Sequence, residues 1–228
     1  MTDARPAIIF DLDGTLVDTA PLCATIINQM LSERGSSKTV ESSEARAFLT
    51  KGGTQLIAAL LGSDGHQIDA DLARFRTLYS GRATPPDSLF PGVLEGLRAL
   101  ARRGIQMAIC SNKPQSLCDK IVADLALTPY CPIVVGSVAG VPLKPAADLA
   151  LVALKRLGAS PADCLFVGDS HVDHQTAANA GIPFLFVTYG YAEPIVAIDA
   201  LARFDRFDDL VRFVVDGRSS SSDQRRVA

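Results

Sequence analysis

The chain has 228 residues, of which 48% are hydrophobic and 21% charged, and its formal net charge is −3. That balance excludes a wholly disordered chain, and the length suffices for one domain, or one domain with an insertion, built on a substantial core. The lack of a basic surplus argues against nucleic acid as a partner, and no run approaches the ~18 consecutive apolar residues of a membrane span.

The residues before Ala7 lack the apolar region of a secretory signal. The five cysteines, Cys23, Cys110, Cys118, Cys131 and Cys164, are odd in number and scattered, with no C-x-x-C spacing. A reduced, cytoplasmic setting is the expectation, with Cys110 a small buried strand residue.

The first predicted element is the apolar run Ala7 to Phe10, a strand. Helical patterns follow. Leu22, Ile26, Ile27, Met30 and Leu31 share one helix face, closed by Gly35, and Ala45 to Leu49, Leu56 to Leu61 and Leu72 to Tyr79 continue the series. Thr84-Pro85-Pro86-Asp87-Ser88 reads as an exit linker by its turn residues. Leu94, Leu97, Leu100 and Ala101 then predict a helix ending near Gly104, and Gln106 to Cys110 a second strand. Ile133 to Val135 is a third strand. Leu149, Val152, Ala153, Leu154 and Leu157 form a helix stopped by Gly158, and Leu165 to Val167 and Phe184 to Val187 are further strands. Short strands that are apolar on both faces and alternate with helices predict an α/β fold, a doubly wound parallel sheet covered on both sides. The expected division is a core domain over 1–17 and 89–216, an inserted helical cap domain over 18–88, and a polar tail over 217–228 with no part in the chemistry.

Open parallel sheets bind ligands at the carboxyl ends of their strands. Asp11-Leu12-Asp13-Gly14-Thr15 follows the first strand, Ser111-Asn112-Lys113 the second and Gly168-Asp169-Ser170 the fourth, with Asp173 close behind; Lys144-Pro145 precedes a helix. The fold therefore gathers four carboxylates, together with hydroxyl and lysine side chains, at one edge. Crowded carboxylates are costly unless a cation sits among them, and hard oxygen donors suit Mg²⁺. Such a cation also lowers the repulsion between an attacking carboxylate and an anionic phosphate, and a carboxylate is a competent nucleophile toward phosphorus. A lysine, hydroxyls and backbone N–H groups stabilise the phosphoryl oxygens during transfer. A calcium loop starting at Asp11 is excluded, because its sixth and twelfth positions hold Leu16 and Leu22 instead of Gly and Glu.

On these segments the chain resembles the haloacid dehalogenase superfamily in its phosphatase branch. Asp11-Leu12-Asp13-Gly14-Thr15-Leu16-Val17-Asp18 is similar to the first motif of that family, Ser111-Asn112-Lys113 to the second, Lys144-Pro145 to the third, and Gly168-Asp169-Ser170-His171-Val172-Asp173 to the fourth. The resemblance implies a Rossmann-like core with a cap that closes over the site and excludes water. It implies Asp11 as nucleophile and Mg²⁺ ligand. It implies Asp13 as general acid and base whose backbone carbonyl reaches the metal, Asp169 as the third protein ligand, and Asp173 beside the metal site or Lys144. Thr15, Ser111, Asn112 and Lys144 are implied to hold the transferring phosphoryl group. Relatives often read Lys-Pro-x-Pro where this chain reads Lys144-Pro145-Ala146-Ala147, a departure that bears on the local helix start.

Leu89-Phe90-Pro91-Gly92-Val93, Ser111-Asn112-Lys113-Pro114, Phe166-Val167-Gly168-Asp169-Ser170 and Thr188-Tyr189-Gly190-Tyr191 are further similar to the phosphoglycolate phosphatase group of that family, implying a small phosphorylated metabolite as partner. Arg46, Lys51 and Gln55, around Gly52-Gly53, are the cap candidates for its non-phosphate end, weighed against a solvated helix face. The rival enzyme is a sugar phosphomutase similar to β-phosphoglucomutase, which would use the same Asp11 and Asp13. A dehalogenase or phosphonatase fits less well, because Asp13 supplies a second acidic residue those branches lack. The non-enzymatic rival is a phosphate-sensing or receiver-like binding protein.

Overall fold

Every residue of the first strand, β1 (Ala7–Phe10), is buried in the computed structural model, which describes residues 7–191 and 198–216. Successive strand residues face opposite sides. Ile8 and Phe10 enter one apolar layer, and Ala7 and Ile9 the other. The remaining strands are β2 (Gln106–Pro114), β3 (Ile133–Ser137), β4 (Cys164–Gly168), β5 (Phe184–Val187) and β6 (Ala202–Phe204). They form one six-stranded sheet in the order β3-β2-β1-β4-β5-β6, with every pairing parallel. The expected doubly wound α/β fold is therefore the observed one.

Four helices follow β1 before the chain returns to the sheet: α1 (Ala20–Glu33), α2 (Ser42–Leu49), α3 (Gly53–Leu61) and α4 (Gln67–Ser80). Their buried residues, among them Ile26, Ile27, Ile57, Leu60 and Tyr79, join the same apolar cluster as Ile8 and Phe10. The interior of the helical insertion is thus continuous with one layer of the core. That layer is completed by α5 (Val93–Arg102), α6 (Gln115–Asp124) and α9 (Phe207–Val215). The other layer holds α7 (Asp148–Leu157) and buried alanines of α8 (His171–Ala180).

Gly96 sits inside α5, where glycine disfavours a helix by about 1 kcal/mol against alanine. Its reason is tertiary: a Cβ there would lie 2.5 Å from the ring of Phe207. Glycine lets α5 and α9 approach closely.

Two features depart from the sequence expectation. β2 continues past Cys110 to Pro114, with a register shift against β3 between those residues, so Ser111-Asn112-Lys113 belongs to an irregular strand end. The edge strand β6 was not anticipated, since three residues carry too little periodicity to read. Residues 1–6 and the expected tail 217–228 lie outside the described residues. Among the described residues, no helix is long and apolar enough to cross a membrane.

Candidate active site

The strand order reverses direction around β1, whose neighbours are β2 and β4. A crevice opens at such a switch point, beyond the carboxyl ends of the strands. Asp11 leaves β1 there and Asp169 leaves β4, and the Asp11 N–H donates to the Val167 carbonyl at 2.9 Å. Asp169 is almost fully buried. Its Oδ1 accepts from the Thr15 hydroxyl at 2.9 Å and its Oδ2 from the Tyr191 N–H at 2.7 Å. Backbone closes around it: a Cβ at Gly14 (φ +86°) or at Gly190 would lie 2.3 Å from atoms of Asp169. Glycines at both positions make room for the carboxylate.

Lys144 stands between the other two carboxylates. Its Nζ lies 2.7 Å from Asp11 Oδ1, 2.6 Å from Asp173 Oδ1 and 3.1 Å from the Cys110 carbonyl. An ammonium has three donors, so all three are in use. Asn112 places the lysine: its Nδ2 donates to the Lys144 carbonyl at 2.9 Å and its Oδ1 accepts from the Lys144 N–H at 2.7 Å. Asp173 is set by the start of α8, where Ser170 is the N-cap and accepts from the Asp173 N–H at 3.2 Å. The second oxygen of Asp173 accepts from the Ser170 N–H at 3.1 Å. Burial pushes the Asp11 carboxyl up to about 7 against the opposing pull of Lys144. Burial and the Asp173 charge raise Asp169 well above the usual carboxylate range. Burial alone would lower the Lys144 ammonium, but Asp11 and Asp173 together hold it above its ordinary value. Cys110 is fully buried, as expected of a strand residue, and burial pushes its thiol up to about 12.

Asp13 belongs to a second ion pair. An extended segment would turn Asp11 and Asp13 the same way, but β1 ends at Phe10 and the chain then turns, with the Gly14 N–H donating to the Val17 carbonyl at 2.9 Å. Asp13 accepts from Lys113, whose Nζ lies 2.9 Å from Oδ2 and 3.0 Å from Oδ1, and from the Thr19 hydroxyl. The Lys113 ammonium sits 5.1 Å from the centre of the Tyr79 ring on α4. Lys113 was quoted within its motif but given no role by the sequence reading. No sequence signal told it apart from a solvated lysine; its partners come from the insertion and from the turn after β1.

A cavity of about 630 Å³ opens over these groups. Asp11, Asp13, Ser111, Asn112, Lys144 and Asp169 line it. Lys51 and Gln55 line its wall on the insertion side, next to Gly52 and Gly53. Arg46 is not among the lining residues; it pairs with Asp18, which also accepts from the Tyr191 hydroxyl at 2.9 Å. Thr15 does not line the cavity either, since its hydroxyl is spent on Asp169.

Asp11, Asp169 and Asp173 each offer an oxygen within 4.8 Å of the others, and all three residues are buried. Three buried carboxylates facing one saturated lysine leave negative charge uncompensated. The all-oxygen donor set fits a small hard cation such as Mg²⁺.

The haloacid dehalogenase-like hydrolase family model matches residues 8–187, which span the sheet from β1 to β5 and every group above except Gly190 and Tyr191. The chain belongs to that family. Two curated members are similar over nearly their whole length. A phosphoglycolate phosphatase from Rhodobacter capsulatus is 36% identical over 210 residues, covering 90% of this chain and 94% of its own. One from Rhodospirillum rubrum is 36% identical, with 90% and 88% covered. Among solved structures, a predicted phosphoglycolate phosphatase from Haemophilus somnus 129PT superposes with a TM-score of 0.79 at 24% identity, covering 93% of this chain and 99% of that one. At that identity the likeness speaks for the fold of this hydrolase family and for nothing finer.

Proposed function

We propose that this hydrolase is a magnesium-dependent phosphatase that cleaves 2-phosphoglycolate to glycolate and phosphate through a phospho-Asp11 intermediate. The observation that carries the reading is the Asp11–Lys144–Asp173 arrangement beside Asp169, at the switch point of the sheet and at the floor of a cavity. The substrate rests on the names of the curated relatives.

Asp11 attacks phosphorus in line, and the phosphorus–oxygen bond to the leaving group breaks. Asp13, which enters this step as the neutral acid, delivers its proton to that oxygen, so glycolate departs neutral at its hydroxyl. Asp13 then takes a proton from water, which attacks the phospho-aspartate and releases phosphate, returning both carboxylates to their starting state. Lys144, whose hydrogen bond to Asp11 is released as that carboxylate attacks, and the Ser111 hydroxyl stabilise the phosphoryl oxygens. Asn112 acts by fixing the Lys144 backbone, and Thr15 by fixing Asp169. Asp11 and Asp169, with the Asp13 carbonyl, would hold Mg²⁺, and Asp173 would steady the site through Lys144. The cation, when bound, offsets the repulsion between Asp11 and the phosphate. Helices α1–α4 serve as the cap that shields the intermediate from bulk water. Lys51 and Gln55 on its cavity wall meet the organic end of the substrate. Arg46 braces the cap entrance through Asp18.

The test is phosphate release with Mg²⁺ from 2-phosphoglycolate and from hexose phosphates, with Asp11→Asn as control. Preference for 2-phosphoglycolate, lost in the variant, supports the reading. Interconversion of sugar phosphates without phosphate release would replace it with a mutase, and binding without turnover with a sensor.

A further inference from the structure

The site holds two lysines in different situations, Lys144 buried and Lys113 partly buried. Lys144 already bridges two carboxylates and a carbonyl, so its three donors are taken. Lys113 meets a single carboxylate, that of Asp13, and faces a ring on its other side. Two of its donors reach the two Asp13 oxygens, so the third is not committed to a carboxylate or carbonyl among the described residues, and Lys113 lines the cavity. Its side chain is 10% exposed, which leaves a ligand access while removing most of the solvent. Lys51 and Arg76 also line the cavity but are exposed at its wall, where an ion pair contributes little.

We propose that Lys113 is a specificity-determining residue that receives a second anionic group of the substrate, the carboxylate of a short phosphorylated acid. The assignment rests on the phosphatase reading above. Lys144 shows that a lysine ammonium here can serve two carboxylates at 2.6 and 2.7 Å. Lys113 would do the same for Asp13 and the substrate. The spacing selects a short molecule. Asp13 is two residues from the phosphoryl-accepting Asp11, a separation of at most about 7 Å along the backbone, so an anion reaching the Lys113–Asp13 pair lies a few bonds from phosphorus. The Tyr79 ring supports the ammonium from the cap side, because a cation over an aromatic face is attracted to it. Lys113 thus reports the acid end of the substrate to the proton-transferring carboxylate and to the cap together.

The experiment compares kcat/KM for 2-phosphoglycolate with that for ethyl phosphate, which has the same length and lacks the carboxylate. Wild type is expected to favour the acid, and Lys113→Met to reduce that ratio by about 10- to 100-fold, the size of one charge-assisted hydrogen bond. Lys113→Arg, which keeps the charge, should retain most of it. Equal losses on both substrates would mean that Lys113 only supports Asp13, and would overturn the proposal. A second reading uses Asp11→Asn protein and calorimetry: adding Lys113→Met should weaken binding of 2-phosphoglycolate and leave that of ethyl phosphate nearly as it was, and unchanged binding of both overturns the assignment. Should Lys113→Met fail to fold, Lys113→Gln gives the same ratio. A wild-type ratio near one would instead remove the acid substrate itself, a failure distinguishable from retained discrimination in the variant.

Discussion

Asn112 holds Lys144 by the backbone at both ends of its amide: Nδ2 donates to the Lys144 carbonyl at 2.9 Å, and Oδ1 accepts from the Lys144 N–H at 2.7 Å. Residues 32 apart in sequence behave as one rigid unit. The lysine that bridges Asp11 and Asp173 is aimed by an amide on another strand end.

Asn112→Ala is therefore expected to act through Lys144. The loss of two partly buried hydrogen bonds should cost about 1–3 kcal/mol of stability. It should also lower kcat by about 10- to 100-fold at saturating substrate, since displacement of a charged group at the reacting centre is felt strongly. Denaturant melts and steady-state kinetics check both, and unchanged kcat would free Lys144 from dependence on Asn112.

Asp11→Asn should lower turnover by at least about 10⁴-fold while the far-ultraviolet spectrum stays that of the wild type, because a carboxamide is no nucleophile toward phosphorus. In Asp13→Asn, acid quenching during turnover should trap phosphate on the protein. Full activity of Asp11→Asn would remove it as nucleophile.

Mg²⁺ should stabilise the fold, because it offsets the charge gathered by Asp11, Asp169 and Asp173. At one hundred times its Kd the gain is about 2.7 kcal/mol, or roughly 5–10 °C in Tm for a chain of this size. Chelation should reverse the shift and stop turnover. Gly190→Ala, whose Cβ would lie 2.3 Å from Asp169, should abolish most of the Mg²⁺-dependent shift. A thermal scan with and without the ion decides it.

Gly96→Ala should destabilise by about 1–2 kcal/mol. The gain in helix propensity is about 1 kcal/mol, but the new Cβ would meet the Phe207 ring at 2.5 Å, and overpacking costs about 1–3 kcal/mol. A rise in stability would show that α9 can withdraw freely.

Asp124 on α6 ties the exit of the helical insertion to the core by accepting from the Thr84 N–H at 2.8 Å. Burial alone would raise its pKa, but the Lys120 ammonium and the Thr84 N–H outweigh that and hold it below the ordinary value of 3.8. A carboxyl whose folded pKa is depressed contributes stability above its unfolded pKa and loses it as pH falls through the folded one. The Tm gap between wild type and Asp124→Asn should be present at neutral pH and close progressively below about pH 3.8. A gap independent of pH would contradict the charge account.

Much of the molecule was legible in the linear chain. Ala7–Phe10, Phe184–Val187 and the apolar spacing of α1 and α7 read directly as elements, because burial on one or both faces writes a period into the sequence. The clustering of Asp11, Asp169 and Asp173 followed from their position just beyond strand ends, once the sheet was taken as parallel, and Lys144 joined them from its place before a helix. Partner choice was not legible. Nothing local says that Thr15 spends its hydroxyl on Asp169, that Asn112 serves a backbone instead of facing a ligand, that Arg46 turns to Asp18, or that Lys113 lies between Asp13 and Tyr79. Those contacts join residues far apart in sequence, and hydrogen bonds and ion pairs are set by distances of a few ångströms that periodicity does not encode. The chain order of its residues determined which groups reach the edge of the sheet, and the packing of the insertion against that edge decided what each of them touches.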